Sequence, residues 1–129
     1  MTAPTAIHQW LKGEALLPRF REVGDLTLDL FHRDGRVEDK WLGLYPREFE
    51  LLWRLAEQPG EPMTRKQLLE EVWRITFEPE TNSVAVHVAR VRGKLDDFGL
   101  ADILATHPGG GYFIDAPPGP SVFRFSRLS

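Results

Sequence analysis

Cysteine is absent from this chain of 129 residues. Its absence excludes disulfide bridges and thiolate chemistry, and it fits a reducing compartment. No apolar run approaches the roughly 20 residues that are needed to cross a bilayer. The first residues, MTAPTAIHQWLKGE, also lack the basic start and apolar core of a signal peptide. Together these absences predict a cytoplasmic protein with no membrane contact.

An excess of basic residues is also lacking. The 16 Lys and Arg are outnumbered by 19 Asp and Glu, so the formal charge is −3. This balance argues weakly against nucleic acid, because domains that bind phosphate are usually basic. The distribution of charge matters more, since an acidic body can carry one basic face. The composition, 42% hydrophobic and 27% charged, is otherwise that of one globular domain with a core.

Patterns typical of catalysis are missing too. The four histidines have no metal-site spacing; they are His8, His32, His87 and His107. Ser83 and His87 are one helical turn apart, but no acid or oxyanion arrangement accompanies them. The glycines at 109–111 do not open a helix, and no phosphate-binding G-x-x-x-x-G-K-[ST] motif occurs. We therefore expect no enzyme activity, no metal and no cofactor.

A small antiparallel sheet is predicted near the N-terminus. Leu26, Leu28 and Leu30 alternate with polar residues, which is typical of a half-buried strand. The Asp34-Gly35 pair favours a tight hairpin turn. Val37 and residues 41–44 can supply the returning strands.

Two helices are predicted after the sheet. Pro46 suits the first turn of a helix, which ends at residues 58–60. Its predicted core face consists of Phe49, Leu52, Trp53, Leu55 and Ala56. Thr64 and Gln67 form a capping box at the start of a short second helix. The buried side of that helix is predicted to be Leu68, Leu69, Val72 and Trp73.

The stretch from Thr81 to Leu95 predicts a third helix, capped by Thr81 or Asn82, with two different faces. One narrow stripe at helical spacing is apolar; it consists of Val84, Val88, Val91 and Leu95, continued by Phe98. No Asp or Glu occurs in the stretch, and small residues lie opposite the stripe. A helix anchored by one face in this way can enter a nucleic-acid groove. An ordinary surface helix would fit the same residues.

A hairpin is predicted after this helix, with strands at 103–106 and 112–114 around a Gly-rich turn. Residues 1–22 are interpreted as an extension with a short helix from Pro4, residues 23–115 as the domain, and residues 116–129 as a Pro-rich linker and tail that can add a strand. The order of elements predicts an α+β winged helix-turn-helix, with an N-terminal antiparallel sheet, a three-helix core and a C-terminal β-hairpin wing.

Four sequence blocks resemble the winged-helix effector domain of OmpR/PhoB-type response regulators. The blocks are Glu48-Phe49-x-Leu51-Leu52, Arg65-x-Gln67-Leu68-Leu69-x-x-Val72-Trp73, Val84-x-Val86-His87-Val88-x-Arg90-Val91-Arg92-x-Lys94-Leu95 and Gly109-x-Gly111-Tyr112. The resemblance spans about residues 23–115. It implies a transcription regulator of two-component type that binds double-stranded DNA, with the helix at about 81–98 in the major groove and the hairpin at about 103–114 near the minor groove.

The resemblance implies DNA contact for Asn82, Ser83, Val86, His87, Arg90, Arg92, Lys94, Thr106 and His107. Arg90 can make a bidentate contact to guanine or grip phosphate. His87 is interpreted as a phosphate or packing residue. For Arg92 the alternative is a salt bridge to Glu70, Glu71 or Asp96.

Two departures from the family pattern leave an alternative open. Ala89 and Pro108 stand where basic residues are common, and fewer phosphate contacts mean weaker binding with a shallower salt dependence. Together with the acidic net charge, these departures support the alternative of a winged-helix adaptor that has weak or lost DNA binding and acts through protein contacts. Tyr45 also replaces the usual Ser or Thr cap of the first helix, which bears on stability alone.

Further partners are implied for the loop from Arg74 to Glu80. In the family this loop touches RNA polymerase, and the candidate contacts are Arg74, Phe77, Glu78 and Glu80. We prefer the alternative of a plain connector in which Phe77 packs inward. A second copy on DNA is another candidate partner. Because residues 1–22 cannot hold a receiver domain of roughly a hundred residues, we interpret the chain as a stand-alone regulator.

Overall fold

The structure is a computed structural model that describes residues 18–116. This part of the chain begins with a four-stranded antiparallel sheet. Its strands lie in the order β1 (Phe20–Val23), β2 (Leu26–Asp29), β3 (Asp34–Val37) and β4 (Lys40–Trp41). Leu26 and Leu28 are fully buried, so the strand predicted from their alternation is confirmed. The helix predicted from Pro4 and the strand predicted in the tail lie outside the described residues.

The first strand begins earlier than the sequence indicates. Phe20 pairs with Asp29 and Arg21 with Leu28, so part of β1 lies in the segment that was assigned to the extension. Arg21 gives the physical reason, because its guanidinium lies 4.1 Å from the Trp53 ring and donates to the Trp53 carbonyl. The polar pattern of this strand hides a side chain that packs on the first helix.

The turn between β2 and β3 corrects another prediction. It falls at residues 30–33, with Arg33 at a φ of 53°, and not at Asp34-Gly35. Gly35 instead pairs with Leu28 inside β3. The Asp34 carboxylate accepts the backbone N–H groups of Gly35, Gly43 and Leu44. Asp34 therefore fixes the path into the first helix, and residues 42–44 are not in a strand.

Three helices form the core: α1 (Pro46–Ala56), α2 (Arg65–Glu71) and α3 (Ser83–Asp96). The predicted capping box of α2 is confirmed, since Thr64 Oγ1 accepts from the Gln67 N–H and Gln67 Oε1 accepts from the Thr64 N–H. The predicted core face of α1 is buried except for the partly buried Trp53. None of the helices in residues 18–116 has the length and apolar character needed to cross a membrane.

The apolar stripe of α3 is the side that joins the core, as predicted. Val84, Val88, Val91 and Leu95 are each at most 1% exposed, and Phe98 packs against the cluster from its edge. Burying four such side chains contributes on the order of 6 kcal/mol or more. The axis and rotation of α3 are therefore fixed, and its remaining faces point in defined directions.

A hairpin of β5 (Leu104–Thr106) and β6 (Tyr112–Ile114) follows a short 3-10 turn at Ala101–Ile103. We call this hairpin the wing. Met63 and Tyr112 exchange both backbone hydrogen bonds, at 2.9 and 3.0 Å, so β6 is tied to the connection between α1 and α2. Gly111 has a φ of 88°, and a Cβ there would collide with the Met63 carbonyl.

Candidate nucleic-acid interface

Helix α3 has an exposed face opposite its buried stripe. We call this the reading face; it consists of Ala85, Val86, Ala89, Arg90 and Gly93, all exposed. Val86 is 43% exposed although its side chain is apolar. The Arg90 side chain forms neither a hydrogen bond nor an ion pair within residues 18–116. Its guanidinium can therefore meet an anion or a base edge without breaking an existing contact.

Polar groups extend this face at the start of α3. Asn82 is exposed at the N-cap position, and its side chain makes no capping hydrogen bond. Its amide is therefore not committed to the helix. The Ser83 hydroxyl lies 2.9 Å from the Thr81 hydroxyl. The structure thus brings Asn82, Ser83, Val86 and Arg90 together along one side of the helix.

The His87 side chain packs against other residues of the domain. Its ring meets the Trp73 ring edge-on at 5.1 Å, and its Nδ1 lies 2.7 Å from the Ser83 carbonyl oxygen. A carbonyl can only accept, so Nδ1 carries the hydrogen and Nε2 is left as the second ring nitrogen. The packing alternative is therefore realised, at the margin of the reading face.

Arg92 has partners that the sequence did not indicate. Its Nε donates to the Leu104 carbonyl at 2.8 Å, and a terminal nitrogen donates to Thr106 Oγ1 at 2.7 Å. Its guanidinium carbon also lies 5.8 Å from the centre of the Tyr112 ring. The predicted alternative of a salt bridge to Glu70, Glu71 or Asp96 is wrong, because the wing occupies this guanidinium.

Lys94 follows Arg90 by one helical turn, but its ammonium is bound to residues outside α3. Its ammonium is 2.6 Å from Glu48 Oε1 and 2.8 Å from the Gly43 carbonyl, and it sits 4.0 Å above the Tyr45 ring. Glu48 is fully buried and also accepts the Tyr45 backbone N–H. Lys94 therefore neutralises a buried carboxylate of α1 and joins α3 to that helix.

The wing tip is ordered by His107. The Nδ1 atom of His107 accepts the Gly109 backbone N–H at 2.9 Å, and the ring meets the Phe113 ring edge-on at 5.9 Å. Thr106 is exposed, but its hydroxyl accepts from Arg92. Both predicted wing residues thus lie on the hairpin. The His107 side chain has its partners within the hairpin and Thr106 has its partner on α3, so neither is as open to a ligand as Arg90.

The loop between α2 and α3 exposes its aromatic residue. Phe77 is 65% exposed, so the preferred expectation that it packs inward is wrong. Ile75 takes the inward position and packs against the core. Glu78 is paired with Arg65 of α2, while Arg74, at a φ of 59°, lies 4.0 Å from Glu50. Glu80 is exposed.

Sequence reasoning missed the residues that support the wing. Met63 was not singled out, although its backbone holds β6. The available signal was an apolar residue directly before the cap Thr64, a position that often fixes how the chain enters a helix. Within residues 18–116, no group of three or more His, Asp or Glu side chains could hold a metal ion.

The geometry defines a class of protein. Helices α2 and α3 are joined by a loop, and α3 exposes a face that carries Arg90. A hairpin lies beside α3 and is bonded to the α1–α2 connection. This arrangement is the winged helix-turn-helix, a DNA-binding architecture. The predicted fold class is thereby confirmed.

Comparison with known proteins gives the family. The profile described as "Transcriptional regulatory protein, C terminal" matches residues 39–114. The chain belongs to this family of DNA-binding transcriptional regulators, so the predicted OmpR/PhoB-type resemblance is confirmed. Membership also confirms that the domain is not an enzyme, since the family consists of regulators.

The individual proteins that this chain resembles include a response regulator and two DNA-binding domains. The heme response regulator HssR of Staphylococcus aureus is 32% identical over 93 residues, which are 72% of this chain and 42% of HssR. The RstA DNA-binding domain of Klebsiella pneumoniae, solved in complex with the RstA box, superposes with a TM-score of 0.65 at 28% identity, covering 75% of this chain and 97% of that domain. The CpxR DNA-binding domain of E. coli gives 0.66 at 28% identity, covering 75% and 96%.

Proposed function

We propose that this protein recognises specific sequences of double-stranded DNA, with α3 in the major groove and the wing near the minor groove. The observation that carries the proposal is the unpaired, exposed Arg90 on a helix whose opposite side is locked into the core. A major groove about 12 Å wide admits one α-helix. A rotationally fixed helix presents the same side chains at each encounter, and sequence discrimination requires this.

Each residue of the proposed interface has a physical role. Arg90 has the fork that matches the O6 and N7 acceptors of guanine, and Val86 can pack on a thymine methyl group. Asn82 and Ser83, at the helix start, suit an adenine edge or a phosphate. His87 can offer Nε2 at the margin, and Thr106 and His107 lie on the wing. Lys94 is not part of the interface, because Glu48 holds it.

The central experiment is selection of bound fragments from genomic DNA, followed by affinity measurements on the selected site. Arg90→Ala should weaken binding by about 1–3 kcal/mol and relax specificity at one base pair. Arg36→Ala is the matched control, because it removes an exposed arginine from β3. Equal affinity of the Arg90 variant and the wild type would contradict the proposed reading face. Absence of binding even at low salt would instead support the adaptor.

Finer parts of the proposal concern partners and context. The exposed Phe77, next to the Glu78–Arg65 pair, offers an apolar contact for RNA polymerase, together with Arg74 and Glu80 on the same loop. Phe77→Ser should then reduce activated transcription in vitro while DNA affinity stays unchanged. We also propose a cytoplasmic location, binding as two copies on one site, and a domain that begins with β1 at Phe20 and not at residue 23. The chain spans 42% of the length of HssR. The activity and the partners of the whole protein are therefore proposals.

A further inference from the structure

Arg92 is the side chain through which helix α3 is hydrogen-bonded to the wing. Its two hydrogen bonds reach Leu104 and Thr106, at the two ends of β5, and its guanidinium also faces Tyr112 of β6. One residue of α3 thus touches both strands of the hairpin. Among residues 18–116, no other side chain of α3 is hydrogen-bonded to the wing.

The two arginines of α3 point in different directions. Residues two positions apart on an α-helix are separated by about 200° around the axis. Arg90 is exposed, whereas Arg92 is half-buried and lies beside β5. Arg90 therefore faces outward while Arg92 faces the wing.

The chemistry of Arg92 suits a brace. A planar guanidinium can donate to a carbonyl and a hydroxyl at the same time in a fixed fork, whereas an ammonium is a single point donor. The Leu104 carbonyl and Thr106 Oγ1 match this fork. The other strand of the wing is anchored separately, by the Met63–Tyr112 backbone pair. The hairpin is therefore held at β6 by the α1–α2 connection and at β5 by α3.

We infer that Arg92 is a positioning residue that sets the angle between α3 and the wing, so that both can engage DNA at once. The inference rests on the proposed function and goes beyond it, because it assigns different roles to two arginines for which the family resemblance implies the same DNA contact. A displaced wing would leave the major-groove contacts of α3 in place and lose those made in the adjacent minor groove.

The test compares Arg92→Lys and Thr106→Val with Arg90→Lys as the matched control. Arg92→Lys keeps the charge and loses the fork, and Thr106→Val removes the acceptor while Arg92 stays. If Arg92 is a brace, both variants bind DNA about tenfold more weakly and lose minor-groove protection in footprints. Their major-groove protection and the slope of affinity against salt stay as in the wild type. Arg90→Lys should instead relax base preference and keep the minor-groove protection.

A phosphate contact would give the opposite pattern. Arg92→Lys would then bind nearly as well as the wild type, Thr106→Val would be silent, and Arg92→Gln would lower the salt slope by about one. That result would overturn the inference.

Nuclear magnetic resonance of the free protein separates this failure from failure of the proposed function. Residual dipolar couplings of the wing relative to α3 should change in Arg92→Lys and Thr106→Val, and not in Arg90→Lys. Unchanged couplings would overturn the brace whatever the DNA result. Changed couplings in a protein that binds no DNA would uphold the brace and reject the function.

Discussion

Lys94 and Glu48 form an ion pair at 2.6 Å in which the carboxylate is fully buried. Removing one partner of such a pair leaves an uncompensated buried charge. Lys94→Met should therefore lower the free energy of unfolding by about 3 kcal/mol. The double variant with Glu48→Gln should lose less than the sum of the single losses, as urea titrations can measure. The salt slope of DNA binding should not change in Lys94→Met; a shallower slope would return Lys94 to the interface.

Asp29 makes the free energy of unfolding depend on pH in the acid range. Burial alone would raise the pKa of Asp29, but hydrogen bonds from His32, from Arg19 and from the backbone N–H groups of His32 and Phe31 hold the pKa below its ordinary value. A carboxyl with a depressed folded-state pKa stabilises the fold above its unfolded pKa, and this contribution is lost as the pH falls through the folded pKa.

Asp29→Asn should thus be less stable than the wild type at neutral pH, and the two proteins should converge below about pH 4. Urea titrations at stepped pH values measure the difference. Asp25→Asn, which removes an exposed carboxylate from the neighbouring turn, controls for the loss of one charge. A constant gap between Asp29→Asn and the wild type across the acid range would contradict the assignment.

Alanine substitutions at Gly111 and Gly93 should change the stability of the domain in opposite directions. Gly111→Ala puts a Cβ against the Met63 carbonyl at a φ of 88°, so we expect a loss of more than about 1 kcal/mol. Gly93→Ala meets no atom within 4 Å and should stabilise α3 by up to about 1 kcal/mol. Thermal unfolding of both variants checks the pair. Equal effects would mean that β6 does not need its close approach to Met63.

Ala89 offers a gain of affinity. It is exposed next to Arg90 on the reading face, at a position where the family commonly has a basic residue. Ala89→Lys should tighten DNA binding and steepen the log–log salt slope by about one. Gln58→Lys, at an exposed site after α1, adds the same charge elsewhere and should change the slope little. Equal effects of the two lysines would show that overall charge, and not the reading face, controls affinity.

The parts of the fold that local pattern determines could be predicted from the sequence. The stripe from Val84 to Leu95 and the capping box at Thr64 depend on residues within one or two helical turns, so periodicity and spacing suffice. The Asp34-Gly35 turn could not be placed, because the Asp34 carboxylate binds backbone groups at residues 43 and 44. These contacts exist only after the chain has folded back.

The candidate site also has residues whose environment could be predicted from the sequence and residues for which it could not. The exposure of Val86 and Arg90 follows from helical geometry once the buried stripe is known. The contacts of Arg92 and Lys94 could not be predicted in this way, because their partners are Thr106 on the wing and Glu48 on α1. Basic residues on one helix look alike in sequence, and only the packing of other elements decides which of them remains free.

The backbone pair between Met63 and Tyr112 also bears on how this domain is completed during synthesis. The helices close local contacts, whereas this pair joins segments far apart in the chain and carries a larger loop-closure cost. On a ribosome, α3 emerges before the strand that completes the wing. A nascent or truncated chain that ends before Tyr112 therefore carries Arg90 without the second half of its DNA-binding surface.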